Sequence, residues 1–535
     1  MKRTLALILT LIMLMALVAC GGEKPTSSTP SKPEEPKEAV GTTDMNKDSE
    51  KVEIKEDVKY KEHLIIAYGG KTTTSDPQVV SNIHHDTLFK LSHNSLIMYN
   101  WDTKEMEPEL ATEWSVSPDG KTWTFKLRDG VKFHNGETLE ADDVVFTFER
   151  AKATGTSGTN AYSQIESLKA VDKNTVEMTL TGANADWLFL LQYTYCSILN
   201  REAVEKDALE GASVGTGGWK WESWENGADT HFVRYDDAWF WKENGLTPTK
   251  KLTVATMTEE SARAVATQTG EVDFNMGVSL VEVPVLAKDA NLKTATIDVD
   301  TIYFIGFNNQ KGIASDVNFR KAISYAIDPQ EVLDAYFEGY GSLCKTFWGP
   351  NQYGIYTDYT DPLETNLDKA KEYLAKTAYK GETLRFVTIN GWSDMAALIQ
   401  AQLNKIGVKC EISAVDGSGL NATCKALEFD FFMYNKSCGP HGDQFRTVLT
   451  YGHNTNRAQY ENARVMELLD LAVVENDDAK RKAMYQEIQQ ITHDELPYRP
   501  LFYGTNGFAW GKNVSGMLWC GDNKHDFTQL ICVEG

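Results

Sequence analysis

Residues 107–150 read EPELATEWSVSPDGKTWTFKLRDGVKFHNGETLEADDVVFTFER. Ser117-Pro118-Asp119-Gly120 is a turn signal, because Pro presets one backbone angle, Asp bonds to its own backbone and Gly tolerates left-handed geometry. Directly after it, Trp123, Phe125 and Leu127 alternate with Thr124 and Lys126, the period of a half-buried strand leaving a hairpin. Gly130 and Gly136 permit tight bends. Ala141, Val144 and Phe148 then share one face of a helix running to Arg150. Every feature of the stretch is scaffold, and none of it demands catalysis.

The same mixture of elements extends outward in both directions. Val176, Met178 and Leu180 repeat the strand alternation. Gly270 ends a helix carrying Ala262, Val265 and Ala266, and Val272-Asp273-Phe274 restarts as a strand. Asp328-Pro329 makes a cap and first-turn pair before Val332 and Leu333, and Asn366 precedes Leu367, Ala370 and Leu374. Met484, Ile488 and Ile491 form a last helical stripe before Pro497. No fixed repeat appears, and the class is mixed α/β. The chain has 535 residues, 42% of them hydrophobic and 11% aromatic, which is long for one core and predicts two or three lobes with a cleft between them.

Four further blocks accompany the opening one in order: SVGTGGWKWESW from Ser213, TEESARAVATQTGEVDF from Thr258, FIGFNNQKGIASDVNFRKAISYAIDPQEVL from Phe304, and ELLDLAVVENDDAKRKAMYQEIQQITHDELPYRPLFY from Glu467. Together they resemble the family 5 solute-binding proteins of the oligopeptide, dipeptide and nickel type, which serve ATP-driven importers. The resemblance covers nearly everything after about Lys61. It implies an α/β, periplasmic-binding-protein-like fold with two large lobes joined by a hinge, plus an inserted domain. Residues 61–103, 214–300 and 503–535 would form a discontinuous first lobe, residues 104–213 the insertion and residues 301–502 the second large lobe. The glycines of Gly215-Thr216-Gly217-Gly218 suit a turn near the hinge rather than a phosphate loop, which needs a following Lys and Ser or Thr.

The N-terminus begins with Lys2 and Arg3, continues in an apolar run to Ala19 and ends in Leu17-Val18-Ala19-Cys20-Gly21-Gly22. That pattern is too short for a membrane span and resembles a lipoprotein signal, which implies cleavage of residues 1–19 and acylation of Cys20. Residues 20–60 are dense in Pro, Ser, Thr, Glu and Lys and read as a disordered tether holding the body to the outer face of the cell membrane. A formal charge of −23 argues against nucleic acid or an anionic lipid surface as partner and favours a neutral or cationic ligand. Seven cysteines besides Cys20 lack any Cys-x-x-Cys spacing. They are expected to be mostly buried thiols with one or two bridges.

The candidate site is the loop FFMYNKSCGPHGDQFR, Phe431 to Arg446, where an apolar strand breaks into a polar turn. In peptide-binding relatives the resemblance implies an aromatic followed by an Asp that pairs with the ligand's α-ammonium. Asn435 and Cys438 stand near those places, and Asp443 is the shifted candidate, with Arg446 available for a ligand carboxylate. Nickel and metallophore binders of the family use a Gly-x-Pro turn and a downstream His. Gly439-Pro440-His441 and His453 match in part, while AKATGTSGTNAYS, Ala151 to Ser163, lacks the expected arginines. His84-His85-Asp86 and His93 show no helical i, i+4 pair, so neither a metal site nor a cofactor is expected. Trp392 and Tyr434 are candidate pocket walls, with Trp187, Tyr193 and Tyr195 behind them, and Asn308 and Asn309 candidate partners for a ligand backbone.

Neither a Gly-x-Ser-x-Gly elbow nor a His-Glu-x-x-His appears, and the chain reads as no enzyme. The expected function is a monomeric, lipid-anchored receptor that closes over a short peptide and hands it to an ABC permease and its ATPase subunits. The alternatives are import of nickel, a metallophore or an opine, and peptide sensing without import.

Overall fold

The computed structural model describes residues 54–155, 157–521 and 524–534, so the signal segment and Cys20 lie outside the described residues. A ten-stranded sheet organises the described chain. At its middle lie two long antiparallel strands, Leu292–Phe307 and Tyr498–Gly511, hydrogen-bonded over most of their length. On one side of them come Phe274–Val278, His63–Tyr68, Lys251–Thr256, Thr230–Arg234 and the edge strand Trp219–Trp224. On the other come Phe431–Ser437, Thr383–Ile389 and the edge strand Lys409–Val415.

The long strands pass from one hydrophobic core to another. Ala295, Ile297, Phe508 and Trp510 pack with Leu64, Phe232 and Phe274, whereas Ile305, Phe307, Leu501 and Phe502 pack with Phe319, Phe386 and Phe431. Between them the register slips at Asp298/Ile302 and again at Tyr303/Phe304. Such slips bend and twist a strand pair locally. Asp298 and Asp300 interrupt the apolar alternation of the strand Leu292–Phe307 ahead of its apolar end, Ile302 to Phe307. In the structure Asp298 accepts a bond from Thr505 Oγ1 at 2.7 Å, so the interrupting carboxylate is satisfied by the neighbouring strand.

A separate four-stranded sheet, with Thr122–Leu127 paired between Ala111–Val116 and Thr175–Leu180, carries the opening block. Gly120 has φ +72° at the hairpin turn, and Ala141, Val144 and Phe148 of the helix Ala141–Thr154 are buried against the sheet. This core also takes in Leu96 and Ile97, ahead of the expected boundary at 104, and Trp239 beyond 213. The caps read from the sequence are present. Asp328 accepts from Gln330 N and Glu331 N, Asn366 from Lys369 N, and Gly270 closes its helix at φ +74°.

The body begins slightly before residue 61. Lys59 pairs with Glu534, Tyr60 bridges to Val533, and Lys61 Nζ lies 2.8 Å from Asp273. The expected bridges between cysteines are not found, since all seven thiols of the described chain are free. Cys196, Cys410 and Cys532 sit in three different cores, while Cys344, Cys424 and Cys438 share a fourth as small apolar residues. Among the described residues no helix is long and apolar enough to cross a membrane.

Candidate functional site

Where the long strands change cores, a cleft of about 500 Å³ opens. Its floor is Val299, Thr301 and Tyr303 on one strand and Gly504, Thr505 and Asn506 on the other. Asn435, Ser437, Cys438 and Gln444 line it from the strand Phe431–Ser437 and the loop after it, and Asn82, Asp86, Tyr193 and Lys524 complete the lining. Asn82 caps the helix Ile83–Ser92, and Asp86 sits in its first turn. Asp86 is fully buried, takes a hydrogen bond from Thr194 and lies 2.9 Å from Lys524 Nζ. A second cavity of about 520 Å³ shares Tyr193 and Gln444 with the cleft and continues it between the insertion and the Asp443 loop.

The structure brings part of the sequence-predicted set together here. Asn435 faces the cleft opposite Tyr303, its cross-strand partner. Trp392 packs its half-buried ring 5.3 Å from Tyr303 and 6.3 Å from Tyr434. Cys438 donates its backbone N–H to Asp300 O at 2.6 Å, and burial holds its thiol well above the ordinary range. His441 is buried with Nδ1 4.0 Å from an Asp186 oxygen, and its desolvation favours the neutral ring.

Asp443 and Arg446 line the second cavity but are engaged with each other. Arg446 Nε donates to both carboxylate oxygens at 3.0 and 2.8 Å, and its other nitrogens reach Asp470 Oδ1 and Leu469 O, each at 2.6 Å. Burial pushes the Asp443 carboxyl up to about 6, while Arg446 pulls it down. An α-ammonium would therefore have to displace an existing ion pair, which overturns the simple expectation of a waiting carboxylate.

Of the predicted residues only Asn435, Cys438 and the secondary candidate Tyr193 line the cleft itself; His441, Asp443 and Arg446 line the second cavity, Trp392 and Tyr434 pack behind, and three more line neither space. Asn308 is buried and donates to Phe429 O at 2.9 Å. Asn309 donates to Phe307 O and Ala458 O. His453 is exposed and closes its own turn through Thr455. All three follow apolar strands or turns whose backbone needs local partners, and that use of the amide or ring wins. The other histidines singled out in the sequence are similarly occupied: His84 bonds to Thr72 Oγ1, His85 to Thr73, and His93 to Ser92 and Ala212 O. Among the described residues no cluster of His, Cys, Asp and Glu is placed to hold a metal ion. Gly215 and Gly217 do not touch the cleft either. A Cβ on Gly217 would stand 2.6 Å from Leu91 O, so the glycines allow a turn to press on a helix end.

Sequence reasoning missed Asn82, Tyr303, Thr505 and Lys524. Tyr303 and Thr505 lie inside the two long strands, Asn82 caps a helix and Lys524 lies outside any strand or helix, so none carried a local signal of a site.

The sequence model described as "Bacterial extracellular solute-binding proteins, family 5 Middle" matches residues 105–459, more than half of the chain. The chain belongs to this family. It is 27% identical over 457 residues to heme-binding protein A of Haemophilus influenzae, covering 78% of this chain and 82% of that protein. It is 26% identical over 482 residues to the probable D,D-dipeptide-binding periplasmic protein DdpA of Escherichia coli K12, covering 86% and 92%. The structure of DppA from Helicobacter pylori in complex with the peptide STSA superposes with a TM-score of 0.72 at 26% identity, covering 88% of this chain and 98% of that one. As a family 5 protein this chain is an extracytoplasmic substrate-binding component of the kind used by ABC importers, and its relatives are binding proteins rather than enzymes.

Proposed function

We propose that this chain captures short peptides in the cleft at residues 299–303 and 504–506 and delivers them to an ABC permease. The observation that carries the reading is the position of the cleft. It lies where both long strands leave one core for the next, with walls from the first lobe, the second lobe and the insertion. Residues 61–103, 214–300 and 503–535 then act as one body and residues 301–502 as the other, with residues 104–213 inserted in the first. Rotation about the slipped registers closes the cleft, and a solute that contacts both walls favours the closed form. A volume near 500 Å³ suits a small solute. The peptide class is supported by the dipeptide-binding and STSA-bound relatives. Acylation of Cys20 and the tether to residue 60 would keep the body beside its permease. The protein works as a monomer in this reading.

The test is native purification of the full chain, release of whatever it carries, and mass spectrometry of the released solute. A set of short peptides is the expected result. A single metallophore, an opine or stoichiometric nickel would replace the peptide reading, and a peptide set accompanied by normal growth on those peptides without the importer would favour sensing.

A further inference from the structure

We propose that a cavity separate from the cleft binds an organic ammonium ion between aromatic walls and carboxylates. The inference goes beyond the reading of the cleft and does not depend on it. The cavity holds about 410 Å³ and lies among the strand pair Ile97–Asn100 and Glu105–Pro108, the helix Trp239–Asn244 and the C-terminal stretch around Trp519 and Thr528. It shares no lining residue with the cleft or with the 520 Å³ cavity beside it.

Its walls are aromatic. Tyr99, Trp101, Trp239, Phe240 and Trp519 line it, the first two meeting edge to face at 5.0 Å and Trp239 meeting Phe240 in the same way at 6.1 Å. Asn94 ties wall to carboxylate: its Oδ1 accepts from Trp239 Nε1 at 3.1 Å, and its Nδ2 donates to Glu109 Oε1 at 2.8 Å. The Ser95 N–H donates to the other Glu109 oxygen at 2.8 Å, so that carboxylate is fixed in place. Trp519 is 8% exposed, and among the described residues its indole N–H has no acceptor. Neither has Gln192 Nε2, which belongs to the same lining.

Charge is equally one-sided. Asp102, Glu107, Glu109, Glu243 and Asp526 line the cavity against a single lysine, Lys90. Lys90 donates to Lys524 O and lies 3.6 Å from Cys520 Sγ. Glu243 pairs with Arg128, whose guanidinium lies 4.3 Å over the Trp239 ring. Among the described residues the other four carboxylates have no ion pair. Glu107 takes one bond from the Asn100 amide and Asp526 one from the Thr528 N–H. Burial above all, and then the Asp526 charge, raise the Glu109 carboxyl to about 7 against the pull of Asn94, Ser95 and Lys90.

Carboxylates beside a buried aromatic surface lose hydration and gain most from a cation that brings its own apolar body. A metal ion needs several oxygen ligands converging at short range, and among the described residues no such cluster is placed to hold one. An organic ammonium ion meets every feature together. Its charge faces Glu109 and Asp526, its methyl or methylene groups lie on the rings, and an acceptor atom on its body takes the Trp519 and Gln192 N–H groups. A chain of net charge −23 also concentrates cations at its surface.

The experiment is calorimetric titration of the full chain at about pH 8, where the Glu109 carboxyl is ionised, both as natively purified and after release of its solute. The probes are choline and the neutral alcohol in which carbon replaces its nitrogen. Choline should bind both preparations alike and at least tenfold more tightly than the alcohol. Glu109→Gln and Trp519→Phe should each weaken choline at least tenfold, the second keeping a ring and removing the donor. Ethanolamine covers a primary amine, and binding of it that is lost in Glu109→Gln retains the site. No binding of choline or ethanolamine to the unaltered chain, equal affinity for choline and the alcohol, or unchanged affinity in both variants overturns the proposal. So does binding only after the solute is released, which would place the cation in the cleft. If a variant fails to fold, the comparison of choline with the alcohol on the unaltered chain decides. None of these outcomes turns on whether the released solute is a peptide.

Discussion

Asp186 is a buried carboxylate whose partners, apart from its own turn, lie in the segment from His441 to Tyr485. Its side chain is 3% exposed. Oδ2 accepts the backbone N–H of Asp443 at 3.1 Å and the Tyr485 hydroxyl at 3.3 Å, and Oδ1 lies 3.5 Å from Arg481. Next to it, Ala185 donates its N–H to Val473 O at 2.7 Å. Asp186→Ala removes the carboxylate that faces Arg481 in a buried ion pair and leaves the Asp443 N–H and the Tyr485 hydroxyl without this acceptor. Breaking a buried pair in this way typically costs about 3–5 kcal/mol. Asp186→Asn keeps an acceptor for Asp443 and Tyr485 but loses the charge facing Arg481, and about half that loss is expected. Because the bonds join segments far apart in the chain, the amides of Asp443 and Ala185 should lose protection in hydrogen exchange while the core strand Thr122–Leu127 keeps its own. The assay is urea unfolding of the three forms, followed by exchange measured on fragments containing residues 185 and 443. A loss below about 1 kcal/mol in Asp186→Ala, or unchanged exchange at Asp443, would refute the assignment of Asp186 as the tie between insertion and loop.

Two further outcomes are expected. Burial raises the Glu109 carboxyl to about 7, against the opposing bonds from Asn94 and Ser95, so the folded state holds this proton where the unfolded state has released it. The contribution is present below about pH 4.5 and is lost as pH rises toward 7. It amounts to about 3 kcal/mol, and urea midpoints across that range should fall less steeply in Glu109→Gln than in the unaltered chain. Gly217→Ala sets a methyl carbon against Leu91 O and the Ser92 carbonyl carbon, both backbone atoms 2.6 Å away, and should lower stability by about 1–3 kcal/mol in thermal unfolding with no effect specific to ligand binding.

Local chemistry made much of the fold legible. The turn at Ser117 to Gly120, the alternation at Trp123 to Leu127 and the caps at Asp328 and Asn366 are short-range decisions, and each is where its residues place it. The length of strand Leu292–Phe307 was not legible, because Asp298 is tolerated through hydroxyls distant in the chain, Ser342 and Thr505, the latter more than two hundred residues away. The site suffered from the same limit. The loop at Phe431 to Arg446 does border the cleft, yet whether Asp443 is available depends on Arg446, Asp470 and Asp186, and only folding brings these together.

The ten-stranded sheet has two edges, and an open edge is a template on which a second copy can add its own strand. Trp219–Trp224 and Lys409–Val415 occupy those edges and carry Lys220, Glu222, Lys409 and Glu411 at exposed positions. Joining two such borders would strip water from charged side chains along both seams. A chain bearing −23 is thus protected against self-association twice, by long-range repulsion and by the composition of its outermost strands.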